Sequence, residues 1–237
     1  MRHAEELLEA ALEPLSRRAR ALMSTKDSNT HLIQAFDEVL NDETSLANTL
    51  LESYEHPNGF IKLVLARDHK SEAAVRVHFW QDVSQGTDIH DHFWDMRSKI
   101  LFGTFLSKTF ETEGSLSGTL YHLRRAKMGD HGIDRVGSLR FQEVGSQRLQ
   151  SGDSHYLAAG ALHSFAAVKA PSATLVLQGP FRVSENRIIR TGHDAEEISR
   201  RTDVKVVRIG QERLTDIFSI LSCNLQSKAE NNEYRPT

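Results

Sequence analysis

The sequence predicts an all-β barrel core with a helical segment ahead of it. Three observations carry that prediction. Apolar residues recur at helical spacing from Ala4 to about Tyr54 and then change to a strand-like texture from Phe60 onward. The β region is punctuated by glycines at short intervals, as a sandwich or barrel of many strands requires. That region also carries a His-x-His pair and a further histidine after a glycine turn.

Leu7, Leu8, Ala11, Leu12 and Leu15 form a first helical stripe, with Pro14 placed to end or kink it. Leu32, Ile33, Phe36, Val39 and Leu40 form a second stripe. Asn41 to Ser45 reads as a break and cap before a third helix over Leu46 to Leu51. FIKLVLAR, DHKSE and AAVRVHFW then read as strand, tight polar turn and strand. Shorter strands follow, with turns at Gly86, Gly103, Gly114, Gly118, Gly129, Gly132, Gly137, Gly145, Gly152 and Gly160, and the β region ends near Ile189. Thr191 to Arg200 is polar with helical character, VKVVRIG is a late edge strand, and LTDIFSILSCNL is a final short helix. SKAENNEYRPT has little to bury and reads as a disordered tail. The resulting division is residues 1–58 helical, 59–190 barrel and 191–237 C-terminal extension.

Composition excludes several function classes. The 237 residues carry a formal net charge of -3, which gives no electrostatic reason to bind nucleic acid or an anionic membrane. No apolar run is long enough to span a bilayer, and the first residues lack the apolar core of a signal peptide. Cys223 is the only cysteine, so no intrachain disulfide forms. A cytoplasmic location is the expectation. A small-molecule substrate is the expected partner, and a homodimer is compatible with the sequence.

The segment GTDIHDHFWDMRSKILFG holds the chemistry. Alternate residues of a strand share a face, so His90 and His92 point toward one spot. Imidazole is a common ligand for iron, zinc, copper and nickel. In GDSHYLAAGALHSF the Ala159-Gly160 turn leads into a strand carrying His163, the candidate third ligand. Asp91 lies between the two inward histidines and so points away, in a position to orient a ligand from behind.

These spacings resemble the two motifs of the cupin superfamily, whose fold is a double-stranded β-helix barrel. Gly86, His90, His92, Met96 and Gly103 follow the first motif, with Met96 in place of its glutamate. Gly152, Ala158, Gly160 and His163 follow the second, with Ala158 in place of its proline. The stretch HFWQDVSQGTDIHDHFWDMRSKILFGTFLSKTF further resembles the metal-binding stretch of the cysteine dioxygenase family of thiol dioxygenases. The resemblance covers roughly Leu32 to Arg182. It implies an Fe(II) ion on His90, His92 and His163 without a glutamate. It also implies dioxygen as co-substrate and a small chelating substrate such as a thiol, amino acid or hydroxy acid.

Residue by residue, the resemblance departs in places. Lys62 falls where that family has the arginine that binds the substrate carboxylate. Thr174 falls at the serine of its Ser-x-His-x-Tyr run, whose histidine and tyrosine places hold apolar residues or Gln178. Its cysteine falls at Met96 or Arg97, so a cysteine-tyrosine crosslink is impossible. Lys62 and His155 are the candidate catalytic residues, Lys62 as an anion anchor and His155 as a pocket residue. His78, Tyr121, His122 and Arg76 lie on barrel strands whose inward face the period alone leaves open. Phe93 and Trp94 suit either a pocket wall or core packing. His31, His56, His69 and His193 read as solvated, as does the basic run Arg124, Arg125 and Lys127. Two other functions share the pattern: a Lewis-acid isomerase or lyase with another divalent metal, and a non-catalytic binding cupin.

Overall fold

The computed structural model describes residues 28–84, 86–125, 131–191 and 207–233. The first helical stripe with Pro14, His193, the 192–200 stretch and the side chains of the basic run lie outside the described residues.

Two helices come first. α1 (Ser28–Asn41) buries Leu32, Ala35, Phe36 and Val39, which share one helical face. α2 (Glu43–Glu52) begins at the sequence break, where the Asp42 carboxylate accepts from the Ser45 backbone N–H at 2.7 Å and caps the first turn. The strands are β1 (Tyr54–His56), β2 (Phe60–Arg67), β3 (Ala74–Trp80), β4 (Ile89–His90), β5 (Trp94–Arg125), β6 (His131–Gln150), β7 (Ser154–Leu157), β8 (Leu162–Phe181), β9 (Asn186–Arg190) and β10 (Val207–Arg208). The chain closes with α3 (Gln211–Glu233).

All described strand pairs are antiparallel. The wall β1–β2–β3–β8–β5 holds the register Tyr54↔Lys62↔His78↔Thr174↔Ile100. At the other end the pairing closes on itself. β4 pairs β8 at His90↔His163, β8 pairs β5 at His163↔Thr109, β5 pairs β9 at Leu120↔Ile189, and β9 pairs β4 at Ile189↔Ile89. This ring of four strands leaves no free edge there.

The two faces of the wall differ. Ile61, Leu63, Val75, Val77, Phe79, Ala173, Leu175 and Leu177 face the helices and join Phe36, Leu214, Ile217, Phe218 and Leu221 in one core. Phe36 and Phe218 stack with ring centroids 4.4 Å apart. Burying each such side chain contributes roughly 1.5–3 kcal/mol. Residues between them in sequence point to the other face, toward the barrel interior, where Phe60 and Trp80 pack with Ile100, Phe105 and Leu149.

Several expectations need correction. The region after Phe60 is not many short strands: β5 runs 32 residues, and β6 and β8 run 20 each. Gly103, Gly114, Gly118, Gly132, Gly137 and Gly145 lie inside long strands. Gly103, Gly114, Gly118 and Gly145 allow a close approach there, whereas Gly137 meets nothing within 4 Å. Gly103 has φ +88°, and a Cβ on it would sit 1.8 Å from Ser172 Oγ. β10 falls in the expected late edge strand VKVVRIG and pairs with β1. The expected tail at Ser227 is helical through Glu233, because a nucleated helix gains a hydrogen bond for each residue it adds.

Candidate metal centre

His90 ends β4, and His163 faces it in register from β8. Side chains opposite each other on neighbouring strands share a face at close range, and the two rings lie 4.4 Å apart. His92 lies beyond β4, in the turn before β5, and not on the strand that carries His90. Its ring still lies 4.9 Å from His90 and 4.8 Å from His163. The ligand atoms of all three lie within 4.8 Å of one another.

The tautomers suit metal binding. His90 Nδ1–H donates to the Asp88 carbonyl at 2.8 Å, and His163 Nδ1–H donates to the Ala161 carbonyl at 3.1 Å. Each leaves its Nε2 lone pair free. Burial lowers the pKa of all three, and the neighbouring imidazoles push His92 and His163 well below the ordinary value. Neutral imidazole is the form that ligates. No carboxylate belongs to the cluster. The donor set therefore fits one divalent ion.

A strand without ligands holds these segments in place. Asp91, 1% exposed, points away from the cluster. Its carboxylate accepts from Arg187 Nε at 2.6 Å and from the Arg187 backbone N–H at 2.6 Å. The same guanidinium donates to the Gly160 carbonyl at 2.7 Å, and the Gly160 N–H donates to the His92 carbonyl at 3.0 Å. This chain of contacts links the His90–His92 segment to the turn that delivers His163. Arg190 pairs with Asp88 at 3.0 Å one turn of backbone away.

Lys62 lies on the interior face with Phe60. Its Nζ donates to Tyr54 Oη at 3.1 Å and sits over that ring. Burial, then the Arg76 charge, pushes its pKa well below the ordinary lysine value. His155 is on β7 and not in the histidine cluster. Its Nε2 is 3.3 Å from Ser107 Oγ, its ring stacks along Phe165, and burial lowers its pKa. Thr174 shares the interior face, and Gln178 is tied to the Glu72 carbonyl at 2.7 Å. Trp94 stacks on His92 at 5.7 Å, so it forms a wall of the site. Phe93 packs on Phe181. Tyr121 and His122 pair with β9; His122 sits near Glu185 and Arg190 lies over Tyr121. Two of the histidines read as solvated are not: His31 buries Nδ1, and His56 stacks on Phe60 at 4.3 Å. His69 is exposed, as read.

Sequence reasoning left Arg76 and His78 undecided, and both turn inward. Arg76 is 4% exposed, and its guanidinium lies 5.4 Å from the Trp94 ring centroid. After burial and the other two imidazoles, its charge adds to the opposition to protonating His92. The available signal was the helix-facing stripe Val75, Val77 and Phe79, which sends Arg76, His78 and Trp80 the other way. A hollow of about 210 Å³ near Glu55, His56 and Gln81 shares Phe60 with this interior but contains none of the three histidines.

No family model matches the chain, and no curated protein does. Among solved structures it is similar to an RmlC-like cupin from Shewanella frigidimarina NCIMB 400, at 15% identity over 56% of this chain and 86% of that one, TM-score 0.34. It is similar to a cupin superfamily protein from Desulfitobacterium hafniense DCB-2, at 15% identity over 53% and 81%, TM-score 0.33. A hydroquinone 1,2-dioxygenase from Sphingomonas sp. TTNP3 is similar at 15% identity over 51% and 65%, TM-score 0.30. No described helix is long and apolar enough to cross a membrane.

Proposed function

We propose that this chain is a cupin-type mononuclear Fe(II) dioxygenase, resembling cysteine dioxygenase in its metal-binding stretch, that oxidises a small metal-chelating substrate. The observation that carries the reading is the convergence of three neutral imidazoles, with Nδ1 occupied on two of them and no carboxylate in the set. His90, His92 and His163 would hold the ion. When bound, Fe(II) supplies a Lewis-acidic centre at which a chelating substrate and dioxygen meet.

The chain's own residues do the remaining work. The Asp91–Arg187–Gly160 contacts preorganise the ligand segments, so little rearrangement is needed to form the site. Trp80, Trp94, Phe105 and Phe165 exclude water from the face on which the histidines converge. The Arg76 cation on that face attracts an anionic substrate, and Lys62 Nζ is a further donor to orient it.

The test begins with stoichiometry. Wild-type protein reconstituted anaerobically with Fe(II) should hold close to one metal per chain. His90→Ala, His92→Ala and His163→Ala should each lose most of it. An oxygen electrode then screens thiols, amino acids and hydroxy acids. Wild-type metal content in all three variants sinks the metal site. Full metal content with no oxygen consumption on any of these substrates sinks the dioxygenase reading in favour of Lewis-acid chemistry.

A further inference from the structure

Six buried side-chain polar atoms among the described residues lack a hydrogen-bond partner, and four of them are Arg76 Nε, His78 Nε2, Trp80 Nε1 and Trp94 Nε1. Buried polar groups are nearly always satisfied, so a group of unsatisfied ones calls for a ligand or water. Here the four are not scattered. Arg76, His78 and Trp80 alternate along β3 and so share its interior face. Trp94 joins them through its contact with Arg76 and also stacks on His92.

The chemistry of this row is one-sided. Arginine and tryptophan nitrogens only donate, so what meets them must accept. Arg76 is also a buried cation without a carboxylate partner among the described residues. Arg67 opposes its charge, and the Tyr54 phenol, whose pKa burial raises, is no counter-ion near neutral pH. Burial is the main reason the Arg76 pKa falls to about 10, still far above neutrality. A second basic group stands beside it. Lys62 is opposite His78 in register, and Arg76 is opposite Val64, which places the two side chains diagonally on one face. Diagonal neighbours on paired strands lie roughly 7–8 Å apart at Cα, within reach of one small ligand. Glu52, the acidic group whose charge reaches Lys62, is already bound by Arg67.

We propose that this row is a subsite for a small dianion, a dicarboxylate or a phosphate, with Arg76 gripping one anionic group and Lys62 Nζ donating to the second. The inference rests on the reading of the barrel interior as the active site, and it names the substrate class there. It moves the main anchor from Lys62 to Arg76. Arg76 has the planar fork that suits two-oxygen anions, whereas Lys62 is partly engaged by Tyr54.

The experiment is calorimetric titration of malonate, inorganic phosphate and acetate into the full chain stripped of metal, so that no ion can ligate the probe. Wild type should bind malonate or phosphate about tenfold or more tighter than acetate. The preferred dianion shows which source the subsite serves. Arg76→Met should abolish binding, Arg76→Lys should restore part of it, and Lys62→Met should bring the dianion down to the acetate level. Circular dichroism and Fe(II) content of the variants report folding and the metal site separately. No binding of any probe by folded wild type overturns the inference, as does equal affinity for acetate, or undiminished binding in folded Arg76→Met. Failure of the metal reading looks different: wild type would lack metal while still binding the dianion.

Discussion

The two faces of the β2–β3–β8 wall come from the same strands yet serve different ends. The helix-facing side is apolar: Ile61, Leu63, Val75, Val77, Phe79, Ala173, Leu175 and Leu177 are all buried there. The interior side carries Lys62, Arg76, His78, Thr174 and Gln178, the first three against aromatic rings. A period of two separates them, so neighbouring residues in sequence differ in what they do. One face gains free energy by leaving water. The other spends some of it to keep buried polar nitrogens available. Stability and function in this wall should therefore separate cleanly under mutation.

The largest effect should come from the helix-facing side. Leu175→Ala removes a fully buried side chain from the core and should cost about 2–5 kcal/mol. Chemical denaturation measures this, and metal analysis of the folded fraction should still give the wild-type value. Loss of metal in folded Leu175→Ala would show that the two faces are coupled. Asp91→Ala should produce the next largest effect, and in the opposite compartment. It cuts the link from the His92 segment to Arg187 and Gly160 without touching a ligand. Supporting contacts of this kind are typically worth about 10–100-fold in metal affinity. A competition titration with a chelator reads this, and Asp91→Asn should recover part of it. Metal affinity unchanged in Asp91→Ala would reduce that ion pair to an ordinary structural one.

How far this comparison could be read in the sequence depends on distance along the chain. The β2–turn–β3 hairpin was legible to within one residue, because its period and its turn are both local. The histidine cluster was legible from spacing and from resemblance, although His92 reaches it from a turn and not from a strand. The interior glycines misled: a glycine that lets Ser172 approach Gly103 looks in sequence like one that makes a turn. The inward face of β3 stayed open because AVRVHFW is apolar on one side and mixed on the other, and only the helices decide which side is outer. Asp91 was legible as pointing away from the histidine cluster, but its partner Arg187 lies 96 residues further on. No local pattern announces such a pair.

His78 offers the finest probe of the interior face. It is in register with Lys62 and Thr174, and its Nε2 has no partner. Burial, then the charges of Arg76, Lys62 and His56, holds its pKa well below the ordinary histidine value. The sign follows from proton counting. In the unfolded chain this imidazole takes a proton near pH 6.5, whereas in the fold it does so only at lower pH. Between those values the unfolded state binds more protons, so stability rises with pH there and falls as pH drops below about 6.5. One such group contributes a slope of up to about 1.4 kcal/mol per pH unit. His78→Gln keeps a polar side chain but removes the titration. Denaturant melts of the metal-free chain between pH 7.5 and 5 should therefore show a shallower acid limb in His78→Gln than in wild type, with the curves parallel above pH 7. An unchanged acid limb would mean that the interior face admits protons freely, and the contrast between the two sides of the wall would then be one of polarity alone and not of access to water.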